Sequence, residues 1–569
     1  LERIRQIKNK YNLNFAAAKE LAASGNVFTT HTPVTAGIDL FPPGLVEKYF
    51  CEYYRLLDLT RQEFITLGQL NPYNCDDYFN MAVLALRLSA WANGVSKLHG
   101  KVARQMWHIG WPKLPIAEIP ITSITNGVHL TSWVGEKIAA LYDRYLDAGW
   151  RSDQTNEKIW AGIEQIPDQE LWRAHEEEKL ELLGFVRRYL VNKLKSWSKN
   201  QDEIDAAATI FDPGVLTIGF ARRFAAYKRP TLLLRDPERL LKLLNDDKQP
   251  VQIIFAGKAH PRDDEGKRLI QQIVNFIRHK QVSSRIVFLE DYDINMARHL
   301  VKGVDLWLGN PRRPLEASST SGMKAVINGV LHVSTLDGWW AEAWTPEAGW
   351  AIGGAENFDN GDYQDYVEAE SLYYLLEKKI IPLYYDRDKE GLPAGWLAKM
   401  KKSIRTYAPV FNSHRMVQEY SDHIYVPAAK SYQRLSASDQ AQAKELAHWK
   451  NYIQVHWDKV RIEKVEDDIA GNRLEVGDDI HMKGTVYLGP ISTGDIKVEI
   501  YYGTVDEDGH VIEGKKIVLN SYSEQGHGRY LYEGVIPCEQ SGRYGYNIRV
   551  YPHHDGLIHP YPNGLILWG

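Results

Sequence analysis

Short apolar runs separated by amphipathic stretches dominate the middle of the chain: Val215-Leu-Thr-Ile-Gly219, Val251-Gln-Ile-Ile-Phe255, Arg285-Ile-Val-Phe-Leu289, Val304-Asp-Leu-Trp-Leu308 and Leu331-His-Val-Ser334. Continuous β-branched runs spaced by helices predict buried parallel strands of a doubly wound α/β sheet. Ligands of such sheets sit beyond the carboxyl ends of the strands, which directs attention to the loops there. Upstream, residues 1 to about 120 read as mostly helical, with strand ends at Asn26–His31 and Ile121–Thr125. The stretch near 78–105 is apolar on most faces (Phe79, Met81, Val83, Leu84, Leu86, Leu88, Trp91) and predicts one long buried helix that includes Asn93. A charged helical stretch follows over 365–455. The period then becomes two, in Ile480–Tyr487, Asp495–Tyr501, Arg529–Glu533 and Tyr544–Val550, with turns at Gly489-Pro490, 506–509 and Ser541-Gly542. That pattern predicts a separate all-β sandwich over 456–569.

Composition narrows the partners. The 569 residues carry a net charge of -5, which gives no global attraction to nucleic acid or to an anionic membrane, and no apolar run reaches spanning length. Three cysteines (Cys51, Cys75, Cys538) make neither a disulfide framework nor a zinc spacing, so no metal is expected and a reducing, cytoplasmic compartment is. The 17 Trp and 32 Tyr suit a carbohydrate partner, although cores and sheet surfaces account for most of them. Acidic runs such as Glu176-Glu-Glu178 read as solvated helix faces. The opening Leu1-Glu2-Arg3-Ile4-Arg5 reads as the middle of a charged helix and implies chain upstream.

Two strand-end segments carry candidate chemistry. Arg222-Arg223-Phe-Ala-Ala-Tyr227-Lys228-Arg229 sets four cations within eight residues, which repel unless an anion lies among them; a solvated basic turn is the alternative. Glu316-Ala-Ser318-Ser319-Thr320-Ser321-Gly322-Met-Lys324 leads a hydroxyl-rich loop into an apolar helix, a setting for phosphate or simply a helix cap. Lys324 could bind that phosphate or condense with a cofactor aldehyde. Glu316 could accept sugar hydroxyls or shape its loop. Asp337-Gly338 after the next strand reads as an ordinary turn or a ligand.

These segments resemble the α-glucan (glycogen/maltodextrin) phosphorylase family. Glu316-Ala-Ser-Ser-Thr-Ser-Gly-Met-Lys324 is similar to its cofactor signature Glu-Ala-Ser-Gly-Thr-Gly-Asn-Met-Lys, followed by Asn328-Gly329 and Thr335-Leu-Asp337-Gly338 as in the family. Arg222 to Arg229 resembles Lys-Arg-Ile-His-Glu-Tyr-Lys-Arg, Thr30-His31-Thr32 its Asn-His-Thr, Asn93-Gly-Val-Ser-Lys-Leu-His99 its Asn-Gly-Val-Ala-Lys-Ile-His, and Thr125-Asn-Gly127 its Thr-Asn-Gly. The agreement is collinear over about 25–345.

The resemblance implies two Rossmann-like lobes of the two-domain glycosyltransferase type: an incomplete first lobe over 1–125, and a cofactor-binding lobe with returning helices over 126–455, before the β-sandwich. It implies pyridoxal phosphate on Lys324, with Thr320, Ser321, Gly322 and Arg222 at the cofactor phosphate and Tyr292 lining that site. Arg223 and Lys228 would hold orthophosphate. His31, Asn93, Tyr227, Glu316, Ser318 and Ser319 would serve the glucosyl unit of an α-1,4-glucan or maltodextrin. The implied reaction is phosphorolysis from the non-reducing end, releasing glucose 1-phosphate with retention. Ser319 and Ser321 stand where the family has glycines, which suits backbones that need no positive φ. Ala225 and Ala226 replace His-Glu, and the layout is closer to the shorter prokaryotic branch. The family's glycine loop over the phosphates belongs before residue 1, so the fragment alone is expected to be inactive. A homo-oligomer stays open. Two rivals remain: a nucleotide-sugar-dependent glucan synthase-like glycosyltransferase, which needs no reactive Lys324, and a non-catalytic glycan-binding protein using aromatics such as Tyr501, Tyr502 and Tyr544.

Overall fold

The computed structural model describes residues 1–569 apart from 72, 73, 75, 76, 470–473, 508 and 513, so Cys75 and part of the 506–509 turn lie outside the described residues. Six parallel strands form the central sheet, in the spatial order Trp350–Ile352, Leu331–Thr335, Leu306–Gly309, Leu216–Arg223, Val251–Lys258 and Ile286–Leu289. All five apolar runs fall in strands of this sheet. Buried helices cover both faces, so each strand is apolar on both sides, and Leu216–Arg223 is buried over seven residues before Arg223 emerges. The chain moves outward from Leu216–Arg223 to one edge, then returns to start again on its other side at Leu306–Gly309. The crevice beyond the carboxyl ends of those two strands is the topological switch point, where open α/β sheets bind ligands.

The amino-terminal region carries a smaller parallel sheet of Val27–Thr29, Trp91–Gly94 and Thr122–Ser123. Here the expectation of one long helix near 78–105 fails. The stretch divides into a helix Met81–Arg87, the strand Trp91–Gly94 and a helix Lys97–Trp107. Ser89 and Gly94 punctuate it, and Ser96 caps the second helix by accepting the His99 N–H at 3.1 Å. Asn93 is therefore a strand residue, not a helical one.

From Arg461 on, the described residues form two four-stranded antiparallel sheets. Strands Asp479–Tyr487 and Arg529–Pro537 pair in one, Ile496–Thr504 and Tyr544–Pro552 in the other, as their period of two predicts. The edge strands Arg461–Asp467, Lys515–Val518 and Tyr522–Gly526 carry little alternation and were not legible as strands. The sheets bury their inner residues in one continuous core with the amino-terminal helices (Ile4, Leu21, Leu57) and the segment Val426–His456 (Leu446, Ile453), helical on either side of a break at Ala437–Gln440. Tyr501 and Tyr502 are buried, which removes them as exposed glycan platforms. The acidic run also departs from expectation: Glu178 is buried, accepting the Lys137 N–H at 3.0 Å and pairing with Lys302 at 2.8 Å. Among the described residues no helix is long and apolar enough to cross a membrane.

Candidate functional site

Three loops converge at the switch point. The first, after Leu216–Arg223, bears the cationic segment. Arg222 is buried, Arg223 is exposed, and Lys228 is largely covered on the short turn Ala226–Lys228. The fourth cation does not join them. Arg229 turns inward with φ 49°, donates to the carbonyls of Asn310 and Pro311 at 2.9 Å, and pairs with Asp365 at 3.0 Å and with Glu368. Carboxylates thus relieve much of the repulsion that suggested an anion among all four cations.

The second loop follows Leu306–Gly309 and delivers Glu316 into the remaining cations. Its carboxylate pairs with Lys228 and lies 3.5 Å from Arg222 Nη1. Arg222 Nη2 donates to Ser319 Oγ at 3.4 Å, and Lys228 Nζ lies 4.7 Å from the Tyr227 ring centroid. Burial pulls the Lys228 ammonium down to about 8, against the attraction of Glu316, and pushes the Tyr227 phenol up to about 12. Two polar atoms in this knot are buried without a hydrogen-bond partner, Arg222 Nη1 and Ser318 Oγ. Buried donors of this kind normally find an acceptor, which makes the two atoms candidate ligand contacts.

Ser319 closes the loop in the left-handed region (φ 66°, ψ 53°), contrary to the expectation that no positive φ is needed there. Its Oγ engages Arg222, a bond the family's glycine could not make. Ser321 adopts no such backbone, and its Oγ accepts from Trp307 Nε1 at 3.3 Å. The helix Thr320–Val326 then begins without a side-chain cap. Gly322 has a steric reason to lack a side chain, because a Cβ there would lie 2.7 Å from His332 Nε2. That ring is fully covered, stacks on Trp339, and is held neutral by burial, with its pKa lowered to about 3.

Lys324 projects from the helix to a different wall, its Nζ 3.9 Å from the centroid of the Trp133 ring. Asn328 fixes that arrangement. Its Nδ2 donates to the carbonyls of Trp133 (2.9 Å) and Lys324 (2.8 Å), and its Oδ1 accepts the Gly135 N–H at 2.7 Å. Burial lowers the Lys324 pKa, favouring the neutral amine that an aldehyde requires. Tyr292 and Trp133 each pack against the core that includes Trp307 and Ala325, and burial pushes the Tyr292 phenol up to about 12. These features fit a lysine-bound aldehyde cofactor, which Lys324 would hold.

The third loop is Asp337-Gly338-Trp339: the Asp337 carboxylate accepts the Glu316 N–H, and the Trp339 N–H donates to the Ser318 carbonyl. From the smaller sheet, Ser96 Oγ donates to the Ala317 carbonyl at 2.7 Å. Glu342 accepts from Thr125 Oγ1 (2.8 Å) and the Lys97 N–H (3.1 Å). Asn93 stands three residues before Ser96, fully buried, with Oδ1 accepting from Thr29 Oγ1 and Nδ2 donating to Tyr420 at 2.8 Å. His31 is exposed beyond Thr30, whose N–H donates to the Asn93 carbonyl. The structure thus joins Arg222, Tyr227, Lys228, Glu316, Ser318 and Ser319 in one knot. Asn93 reaches it through neighbours, Lys324 and Tyr292 flank it, and His31 makes no direct contact with it. Trp133, Ser96, Glu342 and Tyr420 were not legible as site residues, since each arrives from a distant segment with no local signature.

Comparisons with known proteins bear on the family of the chain. A family model described as carbohydrate phosphorylase matches residues 1–345, and one described as the glycogen phosphorylase C-terminal domain matches 457–569. The chain is 42% identical over 566 residues to a maltodextrin phosphorylase of Thermococcus litoralis, covering 98% of this chain and 64% of that protein. It is 39% identical to a glycogen phosphorylase of Mycobacterium tuberculosis, covering 100% and 66%, and 40% identical to one of Aquifex aeolicus, covering 73% and 59%. The chain therefore spans less than two-thirds of the length of these curated relatives. With its amino-terminal 345 residues matched and the cationic knot at the switch point, this chain belongs to the carbohydrate phosphorylase family.

Proposed function

We propose that this chain supplies the phosphate- and glucosyl-binding machinery of a cytoplasmic α-glucan phosphorylase, which releases glucose 1-phosphate with retention from the non-reducing end of an α-1,4-glucan. The division into lobes over 1–125 and 126–455 and a β-sandwich over 456–569 belongs to the same reading. The observation that carries it is the knot itself: Lys228 and Arg222 around Glu316 at the switch point, with Lys324 half-buried on the helix that follows the same loop.

Pyridoxal phosphate on Lys324 would, when bound, supply a second phosphate group able to give and take a proton beside the substrate phosphate. Arg222, Ser319 and the Thr320–Gly322 segment would hold that group, and Tyr292 and Trp133 would wall its ring. Lys228 neutralises the incoming orthophosphate, and Arg223, exposed at the mouth, adds a second cation for it. Glu316, once Lys228 turns to phosphate, keeps one oxygen for a sugar hydroxyl, and the unpartnered Ser318 Oγ offers a donor beside it. Asn93 and His31 close the glucosyl pocket from the smaller sheet. Fixed charges at the reacting centre favour an oxocarbenium-like transition state between phosphate and glucan more than the ground state.

Borohydride reduction of the cofactor-loaded enzyme followed by peptide mapping tests the assignment. The expected result is a pyridoxyl label on Lys324; a label elsewhere, or none, overturns it. A nucleotide-sugar-dependent synthase has no use for an amine with a lowered pKa at this position, and the burial of Tyr501 and Tyr502 weakens a purely glycan-binding role.

A further inference from the structure

Behind the Glu316 loop lies a carboxyl group that the reaction as described does not use. Asp337 is 1% exposed just past the strand Leu331–Thr335. Both of its oxygens are engaged: Oδ2 accepts the Glu316 N–H at 2.8 Å, and Oδ1 accepts the Gly338 N–H at 2.8 Å. The next residues continue the contact. Trp339 N–H donates to the Ser318 carbonyl at 2.9 Å. Gly338 has φ 54°, and a Cβ there would lie 2.6 Å from that same carbonyl oxygen, so the two loops touch backbone to backbone.

The loop is therefore held at three successive residues. Asp337 holds the N–H of Glu316, Ser96 holds the carbonyl of Ala317, and Trp339 holds the carbonyl of Ser318. Of these three ties only the first ends on a titratable group. A carboxylate accepts two N–H bonds, one at each oxygen; protonation turns one oxygen into a donor and weakens one of the two ties. Glu316 and Arg313 face Asp337 from its own loop partner, and Lys228 and Tyr227 from the turn after the first strand. Burial above all, reinforced by the Glu316 carboxylate, pushes the Asp337 carboxyl up to about 7.

We propose that Asp337 is a positioning residue for Glu316, fixing the backbone of that carboxylate in the glucosyl subsite when ionised and releasing it when protonated. The inference rests on the phosphorylase reading, because it takes Glu316 as a sugar ligand. It predicts that the glucosyl subsite tightens as pH rises through neutrality, with the proton exchanged with solvent.

Glucose serves as a neutral probe, since its own charge does not change with pH, and calorimetry on the cofactor-loaded enzyme reads its affinity at pH 6 and pH 8. The wild-type enzyme is expected to bind glucose several-fold more weakly at pH 6, whereas Asp337→Asn and Glu316→Gln each bind with no pH dependence. The Asp337→Asn/Glu316→Gln double variant should be no weaker than Glu316→Gln alone, because both changes act on one contact. Equal wild-type affinity at the two pH values overturns the proposal, as does wild-type pH dependence surviving in either single variant. Should Asp337→Asn fail to fold, the wild-type and Glu316→Gln arms decide the matter. A wild-type enzyme that binds no glucose at either pH sinks the phosphorylase reading itself, and this proposal with it.

Discussion

Two buried charge networks of similar composition have opposite finish. Where the antiparallel sheets meet the amino-terminal region, Arg549 is completely covered, and its guanidinium is used on every side. Nε donates to Glu499 at 2.6 Å, Nη1 and Nη2 to Glu118 at 2.7 and 3.0 Å, and Nη2 also to Tyr561 at 3.1 Å. Lys516 and Tyr561 complete Glu118. At the switch point, by contrast, one carboxylate serves two cations, two polar atoms lack hydrogen bonds, and two groups are drawn toward neutrality, Lys228 to about 8 and Asp337 to about 7. A saturated network specifies structure, whereas an unsaturated one holds binding capacity in reserve.

The comparison predicts that damage at the two places separates into stability and activity. Arg549→Ala leaves Glu118 and Glu499 buried without their main partner and should cost about 3–5 kcal/mol in urea unfolding, with turnover per folded molecule little changed. If stability is unaffected, the saturated network is ornamental and the contrast fails. Lys228→Ala is expected to do the reverse, lowering kcat/KM for orthophosphate by about 10²–10³ with a smaller loss of urea stability than Arg549→Ala, since Arg222 stays 3.5 Å from Glu316. A large loss of stability with normal phosphate use would reverse the two assignments.

The pH dependence sharpens the same point. Burial lowers the Lys228 pKa, so its charge is present below about 8 and lost above it. Phosphate use should therefore fall on the alkaline side of about 8. Between that value and the lysine's ordinary range the unfolded chain binds the proton more tightly than the folded one, so stability should rise with pH over that window. Urea midpoints at pH 8 and 10, compared with Lys228→Met, check the sign. The smallest effect is at Ser319, where Ser319→Gly removes the left-handed strain of a side-chain-bearing residue, worth about 1 kcal/mol. A lower melting temperature instead would show that the bond from Arg222 to Ser319 Oγ outweighs that strain.

The strands of the central sheet were legible because burial on both faces demands continuous apolar runs, and the sandwich strands because half-burial demands alternation. The 78–105 stretch misled for a related reason. A short buried strand flanked by buried helices is as apolar as one long helix, and periodicity alone does not divide them. The arrangement of the site followed the same limit. Arg222, Lys228 and Glu316 could be nominated from composition at strand ends, but Arg229 in the same octapeptide proved structural, because only the fold supplies Asp365 and Glu368.

The sequence by itself determined the layer architecture, the position of the crevice and the residues eligible to fill it, since these follow from local periodicity and from where charged residues interrupt apolar runs. The tertiary structure alone decided which cations stay free for a ligand, that Trp133 stands over Lys324, and that Asp337 holds Glu316 from behind. Those outcomes depend on partners one hundred or more residues away in several cases, and on burial, which sets both the energy of each charge and the number of partners it needs.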